Sequence, residues 1–194
     1  MSLESGRRIL DDPVAIRALA HPLRLKLHNL VGREGPTTAA QAARALGISQ
    51  ALASHHLRQL AKYGFVEPAD GGNQRDRPWR VTATSHTVPR TGLAVDLLER
   101  VVAERAVEHL AEWHRRRNAD DADEAGWREH SGVGQSLVYL TLAEYEELHR
   151  AIDALINPLV ERRRLGDVKA RPPGARPVDL TLISVPLPPT ASGG

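Results

Sequence analysis

The stretch Ile48-Ser-Gln-Ala-Leu-Ala-Ser-His-His-Leu-Arg-Gln-Leu-Ala-Lys-Tyr-Gly-Phe-Val66 constrains this chain more than any other. Read as a helix from about Gln50 to Tyr63, it places Ala53, Leu57, Leu60 and Ala61 at i, i+4, i+7 and i+8, a narrow apolar seam that has to meet a core. The opposite face carries Ala51, Ser54, His55, Arg58 and Lys62 and no carboxylate. Hydroxyl, imidazole, guanidinium and ammonium groups side by side suit a partner made of phosphates and base edges. Upstream, Ala42-Ala-Arg-Ala-Leu-Gly-Ile48 reads as a shorter helix ending at Gly47, the residue best able to take the left-handed conformation after a helix. Ser49 then restarts the chain as an N-cap. Helix, glycine turn and a second helix with a polar outer face make a helix-turn-helix.

The chain of 194 residues has room for one domain and a sizeable extension. Hydrophobic residues at 41% support a core, but aromatics at 4% require that it be filled mainly by Leu, Val, Ile and Ala. Cysteine is absent, which excludes a disulfide framework and thiolate metal or redox chemistry. No apolar run approaches the roughly 20 residues of a membrane span, and the N-terminus lacks a signal-type apolar segment, so a soluble, cytoplasmic protein with no membrane partner is expected. The net charge of +2 conceals an asymmetry. Residues 1–92 carry 13 Lys and Arg against 7 Asp and Glu, and residues 93–194 carry 13 against 17. The basic half is the one containing the helix-turn-helix, as an electrostatic footprint for nucleic acid requires.

Residues 1–11 read as a flexible arm whose Arg7 and Arg8 are free to touch a phosphate. Asp12-Pro13 supplies N-cap and first position of a helix with Val14, Ile16, Leu19 and Ala20 apolar, and His21-Pro22 ends it. Pro22 opens the next, with Leu23, Leu25, Leu27, Leu30 and Val31 apolar and Gly32 closing it. After Gly64, Phe65–Pro68 and Trp79–Ala83 read as two short strands joined by the Gly-rich loop 70–78, with Arg75 and Arg77 at its tip. A hairpin directly behind a recognition helix, with arginines at its end, reads as the wing of a winged helix.

At this point Ala18-Leu-Ala-His-Pro-Leu-Arg-Leu25, Ala45-Leu-Gly-Ile-Ser-Gln50, Ser54-His-His-Leu-Arg-Gln-Leu60 and Gly64-Phe-Val66 have followed one another in order. Over residues 12–84 the sequence resembles the ArsR/SmtB family of bacterial winged-helix repressors, Ser-His-His-Leu after Ser-Gln being the most family-like run. The resemblance implies a homodimer that places the second helix of the pair in the major groove of double-stranded operator DNA and releases it on binding an effector. By position it implies DNA contacts from Gln50, Ala51, Ser54, His55 and Arg58, with Arg75 and Arg77 at the backbone or minor groove. Lys62 joins them on helical-face arithmetic.

Gly92–Arg117 is the longest uninterrupted helical pattern, within a unit spanning 91–117 beyond a winged-helix domain of 12–90. Leu98, Val102, Ala106, Leu110 and Trp113 form one stripe, widened by Ala94, Leu97 and Val101, and three terminal arginines complement the helix dipole. At roughly 38 Å it exceeds what a small domain buries alone, so dimerisation is its expected work. Two recognition helices must sit about one DNA turn, ~34 Å, apart. Residues 118–187 read as a β-α-β extension behind a polar connection with acidic Asp120, Asp121, Asp123 and Glu124. Its parts are a strand Gln135–Leu140, a helix opened by the Thr141–Glu144 capping box and broken or kinked at Asn157-Pro158, and a strand Val178–Leu187. Residues 188–194 read as a disordered tail. The fold class expected is therefore mainly α with small β.

Three other functions compete with DNA binding by an effector-responsive dimer. The resembled family's helical metal site is Asp-x-His followed by His-x-x-Glu, and Asp96, His109 and Glu112 match three of its positions. Leu98 stands where the remaining imidazole belongs, so a zinc- or nickel-responsive repressor lacks one of four ligands and no cofactor is expected. No phosphate loop, nucleophile elbow or zinc-protease motif supports an enzyme. A winged helix serving only as a protein-interaction module would not need the basic face. The operator, the sign of regulation and the identity of a small-molecule effector are not written in the sequence.

Overall fold

The computed structural model describes residues 7–71, 77–83, 85–117 and 125–188, with the side chains of Arg7, Ser85, Arg117 and Ala125 left aside. The acidic residues Asp120, Asp121, Asp123 and Glu124, Arg75 of the expected hairpin tip, and the tail from Pro189 onward lie outside the described residues.

Helix α1 (Pro13–Leu19) starts where Asp12 Oδ1 accepts from the Val14 N–H at 2.9 Å, with proline in the first turn. Helix α2 (Pro22–Glu34) starts one residue after α1 is capped, and the His21 ring Nδ1 accepts from the Leu23 N–H at 3.2 Å. It does not close at Gly32. Arg33 and Glu34 carry the helix on, and Gly35 takes the positive φ of 83° that ends it. Helix α3 (Ala39–Leu46) opens on a full capping box between Thr38 and Gln41, and α4 (Gln50–Lys62) follows across the Gly47 turn.

Strands β2 (Val66–Pro68) and β3 (Trp79–Val81) pair antiparallel, Val66 with Val81 and Pro68 with Trp79. Thr37 bridges the other edge of β3 by exchanging two backbone hydrogen bonds of 2.9 Å with Trp79, which ties the wing to the start of α3. The amino-terminal arm is not loose throughout. Strand β1 (Arg7–Ile9) pairs in parallel with β4 (Ser85–Thr87), and Arg8 Nη1 donates to the Gly64 carbonyl at 2.7 Å while its guanidinium lies over the Phe65 ring. Leu10 explains the docking: it is buried in the core directly after the strand.

One core holds these pieces together, formed by Ile16 and Leu19 of α1, Leu27 and Val31 of α2, Ala53, Leu57 and Leu60 of α4, and Phe65. Helix α5 (Leu93–Arg117) packs across α1 and contributes Ala94, Val95, Leu98 and Val101. Lys26 Nζ and Glu108 Oε2, 2.7 Å apart, join α2 to α5 further along. Aliphatic residues and a single Phe fill this core, as the composition requires.

The carboxyl-terminal extension departs from the expected β-α-β. Helix α6 (Ala125–His130) precedes α7 (Leu142–Arg162), whose Thr141–Glu144 capping box is in place. Residues 135–140 and 178–187 join no strand ladder among the described residues. A strand exists only through a partner, and α7 stands in the chain between these two candidates, so alternation alone did not pair them. Helix α7 is not broken at Asn157-Pro158 and continues to Arg162, with Pro158 inside it. Beyond it the chain returns to α2: the Gly166 N–H donates to the Gly32 carbonyl at 2.6 Å, and the Arg171 guanidinium reaches the Arg33 carbonyl. It then passes α5 through Asp179, 2.5 Å from the His109 ring, and α7 through Ser184, whose carbonyl accepts from the Tyr145 hydroxyl at 2.9 Å. No helix among the described residues is long and apolar enough to cross a membrane.

Candidate nucleic-acid interface

The geometry of the outward face of α4 is set by its two ends and its seam. At the turn, Gly47 adopts φ 64°, ψ 35°, and the Ile48 N–H donates back to the Ala43 carbonyl at 3.0 Å, satisfying an acceptor that the end of α3 leaves over. Ser49 Oγ accepts from the Leu52 N–H at 3.2 Å, so α4 begins immediately. On the inner side Ala53, Leu57 and Leu60 have no exposed surface, and Ala61 packs partly buried against the same core. These three fix the roll of the helix: a rotation that brought Arg58 inward would expose Leu57 and bury a guanidinium.

With that roll, Gln50, Ala51, His55, Arg58 and Lys62 are exposed and Ser54 is half-buried at the edge of the same face. Helix α4 contains no acidic residue, and none of the ion pairs present among the described residues involves Arg58 or Lys62. Lys62 rests over the Tyr63 ring with its ammonium 5.5 Å from the centroid. His56, by contrast, is buried, its ring 4.9 Å from that of His21 and 5.2 Å from that of His55. Burial, with His21, His55 and Arg24 as neighbours, pushes the His56 imidazole below its ordinary range, and burial and Arg24 do the same to His21. Burial thus disfavours charge on the inner imidazoles, while Arg58 and Lys62 stand on the face that meets water.

The wing emerges beside this face. Arg77 is exposed at its base, with Nε donating to the Ala69 carbonyl at 3.5 Å, whereas Arg80 on β3 is held by Glu67 across the hairpin at 2.8 Å. Two residues escaped the sequence reading. Leu52 on the first turn of α4 is exposed, although leucine at a helical position is read as core. Arg44 is an exposed cation on the last turn of α3, and its place one turn before Gly47 was the available signal.

The expected dimer stripe divides. Leu98 is 7% exposed and belongs to its own chain's core. Val102, Ala106, Leu110 and Trp113 are half-buried, and the large apolar residues that α5 exposes are Leu93 and Val107 and, to a lesser degree, Leu97. Sequence periodicity cannot distinguish a stripe covered by α1 from one left for a partner. The three family-type metal positions are not brought together within the chain. Asp96 is exposed on the first turn of α5, about 20 Å along the axis from His109. His109 faces Asp179, and Glu112 is occupied by Arg115 and Arg116.

Residues 19–69 match a family model described as "Helix-turn-helix domain". No curated protein shows significant similarity to the chain. Among solved structures, the chain is similar to the homodimeric winged helix-turn-helix DNA-binding domain of Mb0332 from Mycobacterium bovis, a possible ArsR-family transcriptional regulator. Identity there is 23%, over 57% of this chain and 88% of that one, with a TM-score of 0.33. It is also similar to the multiple antibiotic-resistance repressor (MarR) of Listeria monocytogenes, at 18% identity over 75% of this chain and 82% of that one, with a TM-score of 0.30. Likeness at this level says nothing of function. The match over 19–69 covers α2, α3, α4 and β2, so the elements that build the exposed basic face are those of a helix-turn-helix domain.

Proposed function

We propose that the protein is a DNA-binding transcriptional regulator, acting as a homodimeric repressor on a palindromic operator. The observation that carries this reading is the carboxylate-free face of α4, held outward by the buried seam Ala53, Leu57 and Leu60. In the major groove, Gln50 is suited to an adenine edge, Ala51 and Leu52 to a thymine methyl, Ser54 and His55 to base edges, and Arg58 and Lys62 to the flanking phosphates. Arg75 and Arg77 would fix the register at the backbone or the minor groove. Dimerisation would run through α5, from its outward Leu97 and Val107 and the half-buried Val102, Ala106, Leu110 and Trp113.

A small-molecule effector is the partner class the repressor reading calls for. A metal-responsive version is less well supported, because the Leu98 side chain lies in the apolar core at the position of the missing imidazole. The test is enrichment of duplexes from a randomised pool by the full chain, followed by affinity measurements on the winner. Inverted half-sites about one helical turn apart are expected. Arg58→Ala and Ser54→Ala should each weaken binding by about tenfold or more while leaving the melting temperature unchanged. No enrichment, or unchanged affinity in both variants, would show that α4 does not read DNA.

A further inference from the structure

We infer that α7 is a second self-association element, which pairs antiparallel with α7 of a second copy. This contact is separate from the one proposed for α5 and does not rest on it. Among the described residues, none after Val101 is buried. Yet α7 is a formed helix of 21 residues with a capping box, carrying Tyr145, Leu148, Ile152, Leu155 and Leu159. Their spacing of three, four, three and four is the heptad seam of a two-helix contact, about 21 Å long. Ser184 covers one side of this seam by bonding to Tyr145 and His149. The other side stands open, with Leu148, Leu155 and Leu159 exposed by 44%, 74% and 43%.

Two features select a second copy as the occupant. The first is the order of charge along the helix. Glu144, Glu146 and Glu147 stand at its start, and Glu161 followed by Arg162, Arg163 and Arg164 at and just past its end, a net of two positive charges there. An antiparallel pair with Leu148 against Leu159 and Ile152 against Leu155 lays each acidic start beside the other copy's basic end. A two-fold axis then satisfies both ends with one surface. Residues 125–188 as a whole carry eight cationic and eight acidic side chains, so the extension has no net field to draw nucleic acid or an anionic membrane.

The second is extent. Val133, Leu137, Val138, Leu180, Ile183 and Val185, in the segments before and after α7 in the chain, are each exposed by 60% or more. So many large apolar side chains exposed within one extension go beyond the scattered single ones that an ordinary monomer surface carries.

The native chain has no cysteine, which makes cross-linking unambiguous. Two full-length chains, one with Leu148→Cys and one with Leu159→Cys, are oxidised separately and as an equal mixture. The mixture should give a disulfide-linked pair containing one of each, at severalfold the yield of either chain alone. Self-linked pairs forming as readily as mixed ones would mean a parallel arrangement and overturn the proposal, as would the absence of any linked species. The same experiment on Ile152→Cys with Leu155→Cys guards against a misfolded variant. Sedimentation of the unmodified chain adds a separate reading. A 21.3 kDa monomer at micromolar concentration would overturn the proposal. A dimer that forms no mixed disulfide would leave α5 as the dimer interface and remove α7.

Discussion

His28 and His86 should make this protein sensitive to mild acid. Their rings lie 5.3 Å apart against Phe65, and neither Nε2 meets a hydrogen-bond partner in the protein. Burial, then His28 and Arg8, push the His86 imidazole down to about 3 from 6.5, and burial also lowers His28, partly opposed by its bond to Asn29. Both groups are bases with a lowered folded-state pKa, so the unfolded chain takes up protons first. The stability they contribute is complete above about pH 6.5 and is lost as pH falls from there toward the folded value. For His86 alone the loss at pH 5 is about 2 kcal/mol, from the difference in proton uptake between the two states. In a chain of this length that lowers the melting temperature by roughly 4–8 °C. Thermal unfolding followed by circular dichroism at pH 7.5, 6.5, 5.5 and 5.0 measures it, with His86→Phe as the comparison, which should lose much of the slope. A flat profile in the wild type, or an equal slope in His86→Phe, would refute the placement of these rings.

Leu57→Ala should lower stability by about 2–5 kcal/mol, because its side chain is wholly buried, whereas Arg58→Ala one residue along should change it by less than about 0.5 kcal/mol. Denaturant titration of the pair separates the inner from the outer face of α4. Gly47→Val should cost about 1–2 kcal/mol through its φ of 64°, where a Cβ meets no neighbouring atom, so the penalty is one of backbone and not of space. A melting curve indistinguishable from wild type would contradict the αL turn. Added zinc or nickel, and their chelators, should leave both the melting temperature and DNA affinity unchanged, since one ligand position is the buried Leu98. A metal-dependent shift in either would reopen the metal-responsive reading.

The helix-turn-helix was legible because each of its signals is local. Gly47, Ser49 and the seam of α4 each specify their structure within a few residues, and the seam also states which side faces out, whereas the Thr38–Gln41 capping box, which starts α3 at Ala39 and not at Ala42, went unread. Where the outcome depended on a distant partner, the sequence was mute. Gly32 looked like a helix end, but the return of Leu165 and Gly166 onto α2 packs against it, and a Cβ there would lie 3.4 Å from Leu165. Arg8 looked free, although Gly64 and Phe65, more than fifty residues on, hold it. The stripe of α5 was visible as apolar, but its division between α1 and an outward face depends on packing angle. The segments 135–140 and 178–187 alternate as strands do, yet pairing is a property of two segments.

The most direct test of the central claim is the salt dependence of binding between the full chain and its selected duplex. Arg58, Lys62, Arg75 and Arg77 give four cations per recognition unit, so a dimer on two half-sites should show log K falling against log salt with a slope of roughly −7. In Arg58→Ala the slope should become shallower by about 2, because each half of the dimer then neutralises one phosphate fewer. A slope near zero, or one unchanged by the loss of Arg58, would contradict the account of α4 as the face that meets DNA.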